Sequence, residues 1–147
     1  GVTCGTASAE TRRLRKLQDN TTVVTRLELE KNNLKGTIPA DLSLLTDLKI
    51  LNLASNGMGG PIPTTMTTLT GLTTLILFDN ALTGDLSSLN FAQLAELLIF
   101  DVSQNSFQGS IPDSLWSMPA LNVLVLDNNS FSGQISTAIA NLQSLRK

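Results

Sequence analysis

Residues 24–39 read VTRLELEKNNLKGTIP, and this stretch decides the fold because the rest of the chain repeats it. Two leucines alternate with variable residues, an asparagine follows three positions later, and a glycine and an Ile-Pro pair close the pattern. The second and third copies each begin 24 residues after the one before, and one extra residue between Ser87 and Phe91 delays the fourth. The repeated asparagines are Asn32, Asn56, Asn80, Asn105 and Asn129, and the repeated glycines are Gly36, Gly60, Gly84, Gly109 and Gly133. A fixed period of this length predicts a repeat architecture.

The recurring residue types have physical roles in each copy. Alternating leucines predict a short strand with one buried face and one free face. The backbone then turns, and a stacked asparagine both donates to and accepts from groups that would otherwise be buried unpaired. The glycine allows a backbone conformation that is closed to other residues, and Ile-Pro restarts an extended segment. We therefore expect one asparagine ladder through the whole repeat region.

The remaining apolar positions of each copy predict a short helical turn on the opposite side of the layer. They are exemplified by Leu42, Leu45 and Leu48 and by Leu115, Met118 and Leu121. Aromatic residues make up only 4% of the chain, although 41% of it is hydrophobic, so the core is predicted to consist of thin aliphatic layers. Each layer buries its leucines against its neighbours, so stability is a nearest-neighbour sum along a solenoid.

The pattern L-x-x-L-x-L-x-x-N-x-L-x-G-x-I-P resembles the plant-type leucine-rich repeat. This repeat occurs in receptor-like kinase ectodomains, receptor-like proteins and polygalacturonase-inhibiting proteins. The resemblance implies an α/β solenoid: a right-handed superhelix with a parallel concave β-sheet, about five repeats of 24–25 residues, and short 3-10 or helical turns on the convex side. We assign a partial N-terminal cap with an insert to residues 1–23. The repeats then span 24–47, 48–71, 72–96, 97–120 and an incomplete 121–147.

The chain departs from the family pattern in several places. Gly-Val-Thr-Cys at residues 1–4 resembles the end of the family's N-terminal cap, which implies that Cys4 forms a disulfide with a partner outside this chain. Ser87 and Ser136 replace proline, which puts in doubt the continuity of the second small sheet that the family forms from its Ile-Pro segments. Leu142 and Leu145 lead toward a sixth repeat without a polar cap. A fragment of a longer array is the simplest interpretation, and a short complete protein with an open end is the alternative.

Several function classes are disfavoured by composition. The chain has no histidine and one cysteine, so we expect no metal site, no cofactor and no catalytic residues. The glycines of Gly57–Gly60 are followed by no lysine and fit the repeat turn better than a phosphate loop. Ten basic and 12 acidic residues argue against nucleic-acid binding, and no apolar run is long enough for membrane insertion in this segment.

The free face of the strands is the predicted partner-binding surface, because a solenoid presents the variable residues of neighbouring layers side by side. Its predicted residues are Arg26, Glu28, Ile50, Asn52, Ile76, Phe78, Ile99, Asp101, Val123 and Val125. We expect the residue after the second leucine, such as Ala54, Phe78 or Ser103, to share this exposed face. Exposed apolar patches mark interaction sites, and Phe78 is the best single anchor. Alternatively, the β-branched residues are present only because they suit strands.

Other polar features allow two interpretations each. Asn20 and Asn128 begin N-glycosylation acceptor tripeptides, which arise by chance in a chain rich in Ser, Thr and Asn but agree with a secretory address. The basic run at residues 12–16 is either a docking site for an acidic partner or a solvated helix face, and most charge runs are solvated faces. Asp79, Asp101 and Asp127 either line a polar rim or are simply solvated turn residues. Trp116 is most simply explained as packing on the convex side.

The leading functional hypothesis is an extracellular recognition module that resembles a receptor ectodomain. It would bind a peptide, protein or glycan on the concave face, and a co-receptor is an additional candidate partner. One alternative is a secreted enzyme inhibitor of the polygalacturonase-inhibiting kind. A second is an ice-binding protein, suggested weakly by the threonines between residues 64 and 74. An intracellular scaffold is a third.

Overall fold

Short strands alternate with 3-10 segments over residues 23–147, which is the part of the chain that this computed structural model describes. The strands of the first sheet are β1 (Arg26–Glu28), β3 (Ile50–Asn52), β5 (Thr74–Ile76), β7 (Ile99–Asp101) and β9 (Val123–Val125). The strands of the second sheet are β2 (Lys35–Thr37), β4 (Gly57–Gly60), β6 (Ala81–Asp85), β8 (Ser106–Ser110) and β10 (Ser130–Ser132). Each repeat contributes one strand to each sheet, which gives the solenoid predicted from the period.

The first sheet is parallel, and equivalent residues of successive repeats stand directly opposite each other. Leu27 pairs with Leu51, Leu51 with Leu75, and Leu75 with Phe100. The central residue of each strand faces the core, and the residues on either side of it face outward because side chains alternate along a strand. Neighbouring strands lie about 4.8 Å apart, so this register places the outward side chains in straight rows.

The second sheet is also parallel, but its register shifts from strand to strand. Lys35, three positions after its repeat's asparagine, pairs with Gly57, which is one position after the next asparagine. The same two-residue offset relates Thr83 to Ser106. Equivalent side chains on this sheet therefore lie on a diagonal, and only the first sheet gives aligned rows.

The doubt about the continuity of the second sheet was wrong. All five repeats of the described region contribute strands to it, because the strands end before the Ile-Pro position and do not need the proline. At Ser87 the backbone N–H donates to Asp85 Oδ1 over 2.6 Å, a bond that a proline without an N–H cannot make. At Ser136 the hydroxyl oxygen accepts from the N–H of Ala138 over 3.3 Å. Ser87 thus lies inside the 3-10 turn that Asp85 caps, and Ser136 caps the turn that follows it.

The convex side is built from short 3-10 turns. They span Ala40–Leu44, Thr64–Thr68, Leu86–Ser88, Phe91–Gln93, Asp113–Ser117 and Thr137–Asn141. Pro39, Pro63 and Pro112 precede three of them in extended conformation. The third repeat has two short turns where the others have one, and this is where the sequence carries its extra residue. The insertion is therefore absorbed on the convex side and does not disturb the first sheet.

The core is a continuous column of aliphatic layers with a few aromatic contacts. Phe91 and Phe100 lie with ring centroids 5.2 Å apart, and Phe107 stacks on Phe131 at 6.3 Å. Trp116 is buried on the convex side, as its packing interpretation requires, and its indole N–H has no hydrogen-bond partner. Leu29 was expected to be buried but is 36% exposed, because the first described layer is covered by a neighbouring layer on one side only.

Candidate recognition surface

The five repeated asparagines form one ladder along the edge of the first sheet. In the interior repeats, Asn80 Oδ1 accepts from the N–H of Met58 in the preceding repeat over 3.0 Å. Its Nδ2 donates to the carbonyl of Leu53 in that same repeat over 3.0 Å, and to Leu77 in its own repeat over 3.1 Å. Asn56, Asn105 and Asn129 repeat this arrangement, each bonding to the layer before it.

Asn32 occupies the same register position but makes fewer bonds. Its Nδ2 donates to the carbonyl of Glu30 over 3.0 Å, and its backbone N–H donates to Asn56 Oδ1. Among residues 23–147 there is no preceding layer to which Asn32 could form a hydrogen bond. The ladder therefore has a direction, from each asparagine back toward the N-terminus.

The residue before each ladder asparagine adopts a left-handed backbone conformation. These residues are Lys31, Ser55, Asp79, Gln104 and Asn128, with φ between 51° and 56°. Sequence reasoning missed this requirement because none of them is a glycine. The signal that was available is weak: polar side chains dominate the position, and Asn and Asp tolerate this region better than most residues. This turn aims Asp79 and Asn128 outward, and both are exposed.

The proposed partner-binding residues fall into rows across the first sheet. One row runs Arg26, Ile50, Thr74, Ile99, Val123, and the next runs Glu28, Asn52, Ile76, Asp101, Val125. The structure therefore brings nine of the ten predicted surface residues into two adjacent rows. Phe78 lies outside them, two residues after Ile76, in the turn that follows the strand.

The exposure of this surface differs in part from the expectation. Ile50, Ile76, Ile99, Val123 and Val125 are half-buried, because aligned neighbours cover each other's flanks, and Phe78 is half-buried too. Two residues expected on the exposed face were predicted wrongly. Ala54 is 0% exposed and Ser103 is 5% exposed; the backbone bonds after the strand are the same there as at Phe78, but these side chains are much smaller. Phe78 thus lies between two layers that have small buried side chains at its position.

Charges are paired in the first layer. Arg26 and Glu28 form an ion pair at 2.8 Å, and Glu30 contacts Lys31 at 2.9 Å. The hydrogen bond from Lys31, with a further one from Asn52, lowers the pKa of Glu30. The same contact with Glu30 raises the pKa of Lys31. These pairs are exposed, so they orient the side chains more than they stabilise the fold.

The remaining predicted features have different outcomes. Asn128 is exposed, and its Nδ2 donates to Asp127 Oδ2 over 2.7 Å. Asn20, Cys4 and the basic run at 12–16 lie outside the described residues. Within residues 23–147 no group of three potential metal ligands is present, and no helix is long and apolar enough to cross a bilayer.

Comparison with known proteins identifies the repeats. A family model described as leucine rich repeat matches residues 70–131. The ectodomain of the Arabidopsis thaliana membrane receptor kinase GASSHO1/SCHENGEN3, solved with CASPARIAN STRIP INTEGRITY FACTOR 2, is similar over 84% of this chain, with 33% identity and a TM-score of 0.80. The chain is a plant-type leucine-rich repeat protein.

Two further solved structures are similar to this leucine-rich repeat chain. The Arabidopsis receptor kinase HAESA, solved with the peptide hormone IDA and the co-receptor SERK1, is 35% identical over 84% of the chain with a TM-score of 0.79. The BIR3–SERK2 complex from Arabidopsis thaliana is 30% identical over 82% of it with a TM-score of 0.73. The chain spans 15% of the GASSHO1/SCHENGEN3 structure, 21% of the HAESA structure and 66% of the matched chain in the BIR3–SERK2 complex. Among curated proteins, no match was found.

Proposed function

We propose that this chain is an extracellular recognition segment that binds its ligand on the concave sheet. The observation that carries the proposal is the pair of aligned rows on the first sheet, which hold half-buried aliphatic side chains open to solvent. Such a surface offers apolar contact area without needing to rearrange. Support also comes from similar proteins, since GASSHO1/SCHENGEN3 and HAESA were solved with CASPARIAN STRIP INTEGRITY FACTOR 2 and IDA respectively.

The ligand class that the surface favours is an extended peptide or a protein segment. Side chains about 4.8 Å apart along each row fit a chain that crosses the strands and contacts one layer after another. A glycan is an alternative ligand, and a co-receptor is a second partner by analogy with the SERK1 complex of HAESA. No catalytic role is proposed for this segment.

The proposal is tested by the substitution Phe78→Asp. Phe78 is half-buried beside the apolar rows, so the change places a charge next to the contact surface while keeping most core contacts. Peptides selected from a displayed library on the unmodified chain are expected to lose about tenfold or more in affinity, the cost of one aromatic anchor. Isothermal titration calorimetry measures the loss.

Leu44→Asp is the matched control, because Leu44 is a 75% exposed apolar residue on the convex side. Its affinity for the selected peptides should stay within about twofold of the unmodified value, since rim or remote residues contribute little. Equal losses in both variants would contradict a concave site. A collapse of the melting temperature in Phe78→Asp would show that the side chain belongs to the core.

We also propose an N-linked glycan on Asn128, which would agree with secretion of the protein. The side chain is exposed, and Asn128-Asn129-Ser130 has the acceptor pattern. Mass spectrometry of protein secreted from eukaryotic cells should show a glycan on Asn128 that peptide-N-glycosidase removes. Bare Asn128 in secreted material would contradict it.

The alternative functions gain less support. The hydroxyls of Thr65, Thr67 and Thr68 donate to backbone carbonyls at Ala40, Thr64 and Thr65, so they do not form a free array for ice. An enzyme inhibitor would use the same concave surface. It differs from a receptor segment in whether a membrane anchor belongs to the full-length protein.

A further inference from the structure

The last three residues of the row that runs from Glu28 to Val125 place one carboxylate between two aliphatic side chains. Ile76, Asp101 and Val125 pair in register on neighbouring strands, so their side chains stand side by side on the concave surface. All three are half-buried. A carboxylate in such a position loses part of its hydration, which makes a charged or strongly donating partner valuable there.

Asp101 is held in a fixed orientation by one of its two oxygens. Its Oδ1 accepts from the N–H of Ser103 over 3.0 Å and from the hydroxyl of the same residue over 2.7 Å. Ser103 is itself buried, so this anchor is rigid. Neither bond uses Oδ2, which is left for a donor from outside.

No cation within the described part of the chain neutralises Asp101. The ion pairs there join Arg26 to Glu28, Lys31 to Glu30, and Lys49 to Glu96. Asp79 and Asp127, on the layers to either side, are likewise outside these pairs. The three carboxylates of the later repeats thus lie outside these ion pairs, and the backbone of Lys147 pairs beside Leu124, which puts one cation at the C-terminal end of the surface.

Asn52 indicates that the fold itself does not need this charge. It occupies the same row two layers earlier, and its Oδ1 accepts from the N–H of Ala54 over 3.0 Å, as Asp101 Oδ1 does from Ser103. Its Nδ2 donates to Glu30 Oε2 over 3.0 Å. A neutral amide thus performs the same local role, and the carboxylate at residue 101 is available for another purpose.

We infer that the concave surface binds an extended peptide through a lysine or arginine side chain that pairs with Asp101. The aliphatic stem of that side chain packs between Ile76 and Val125, and its cationic head donates to Asp101 Oδ2. The inference rests on the proposed function and adds to it the chemistry of the ligand. The charge of Asp79 and Asp127 on neighbouring layers favours the same cationic ligand.

The test uses two peptides that differ only in charge, acetyl-Val-Arg-Val-amide and its citrulline isostere. Titration of the whole isotope-labelled chain is followed by the amide resonances of Ile76, Ser103 and Val125. The arginine peptide should saturate in the millimolar range and bind about fivefold tighter than the citrulline peptide, as expected for one partly exposed charge pair. The preference should weaken as salt is added.

Asp101→Asn is the decisive variant, because Asn52 demonstrates that an amide keeps the local hydrogen bond. It should bind both peptides equally. Asp113→Asn removes the same charge from an exposed position on the convex side and should keep the fivefold preference. Unchanged far-ultraviolet circular dichroism of both variants establishes that they are folded.

Three outcomes overturn the inference. The first is no saturable shift with the arginine peptide. The second is equal binding of both peptides to the unmodified chain, with binding lost in Phe78→Asp; this result would retain the concave site and reject only the cationic ligand. The third is self-association that Asp101→Asn abolishes in analytical ultracentrifugation, which would make a second copy of the chain the occupant.

Discussion

Asn32 and Asn80 occupy the same position in the repeat and yet have different roles. Asn80 joins two layers, because its amide serves backbone groups of the preceding repeat as well as its own. Asn32 bonds within its own layer and at an exposed carbonyl. The comparison teaches that the energetic value of a repeated residue depends on the layer beside it and cannot be assigned from its register alone.

The largest expected effect comes from Asn80→Ala. The substitution leaves the N–H of Met58 and the carbonyls of Leu53 and Leu77 without this partner, and these groups are largely shielded from water. The N–H of Met58 is then unpaired, while the two carbonyls keep only their bonds from Asn56 and Asn105, so the free energy of unfolding should fall by about 3 kcal/mol. Urea denaturation followed by circular dichroism measures the change.

Asn32→Ala is its control. It removes one donated bond to an exposed carbonyl, and water can replace it, so a loss of about 0.5 kcal/mol is expected. Equal losses at the two positions would mean that the bonds to the preceding layer carry no special weight. The ladder would then be a consequence of the fold, with no role in holding it together.

A second contrast between layers concerns two glycines with the same backbone conformation. Gly36 has φ +89° and Gly84 has φ +98°, and both are strained for a residue with a side chain. A Cβ at Gly84 would lie 3.2 Å from Pro61 Cβ in the preceding repeat, whereas at Gly36 it would meet nothing within 4 Å. Gly36→Ala should cost about 1 kcal/mol for the backbone alone and Gly84→Ala about 2 kcal/mol, because a close contact is added. Thermal unfolding that ranks them in the reverse order would contradict this account.

The smallest expected effect lies in the charged first layer. The pKa of Glu30 is lowered by Lys31, so its contribution to stability is present above its unfolded pKa and lost as pH falls through its folded pKa. The pKa of Lys31 is raised, so its contribution is lost as pH rises through its folded pKa. Lys31→Ala should raise the pKa of Glu30, measured by NMR titration of its side-chain carboxyl. An unmoved titration curve would exclude Lys31 as the cause.

The fold was largely predictable from spacing. The alternating leucines, the asparagine ladder and the glycine turn each follow from a local rule that acts within one period, so five copies of the rule specify the solenoid. Membership of the rows on the first sheet followed as well, because parallel pairing in register needs only that each repeat returns to the same strand position. The extra residue near Ser87 left the rows intact because the convex turns absorbed it.

Geometry between layers was not predictable in the same way. The burial of Ala54 and Ser103 depends on how closely neighbouring layers cover a small side chain after each strand, and hydrophobic alternation gives no information on that. The two-residue offset of the second sheet depends on the different path length on that side of each layer. The orientation of Asp101 was also hidden, because its anchor is a hydrogen bond to a residue two positions later that the sequence suggested was exposed.

The backward direction of the asparagine ladder makes the two termini of such an array inequivalent. Each repeat relies on its successor for the acceptor that caps its turn, as Phe107 relies on Asn129 and Leu34 on Asn56. Removing whole repeats from the C-terminal side therefore leaves backbone N–H groups of the last remaining repeat without their acceptor. Removing repeats from the N-terminal side only exposes asparagine side chains to water. Local unfolding of the array should start more easily at the C-terminal layer when both outermost layers are otherwise equally shielded from solvent.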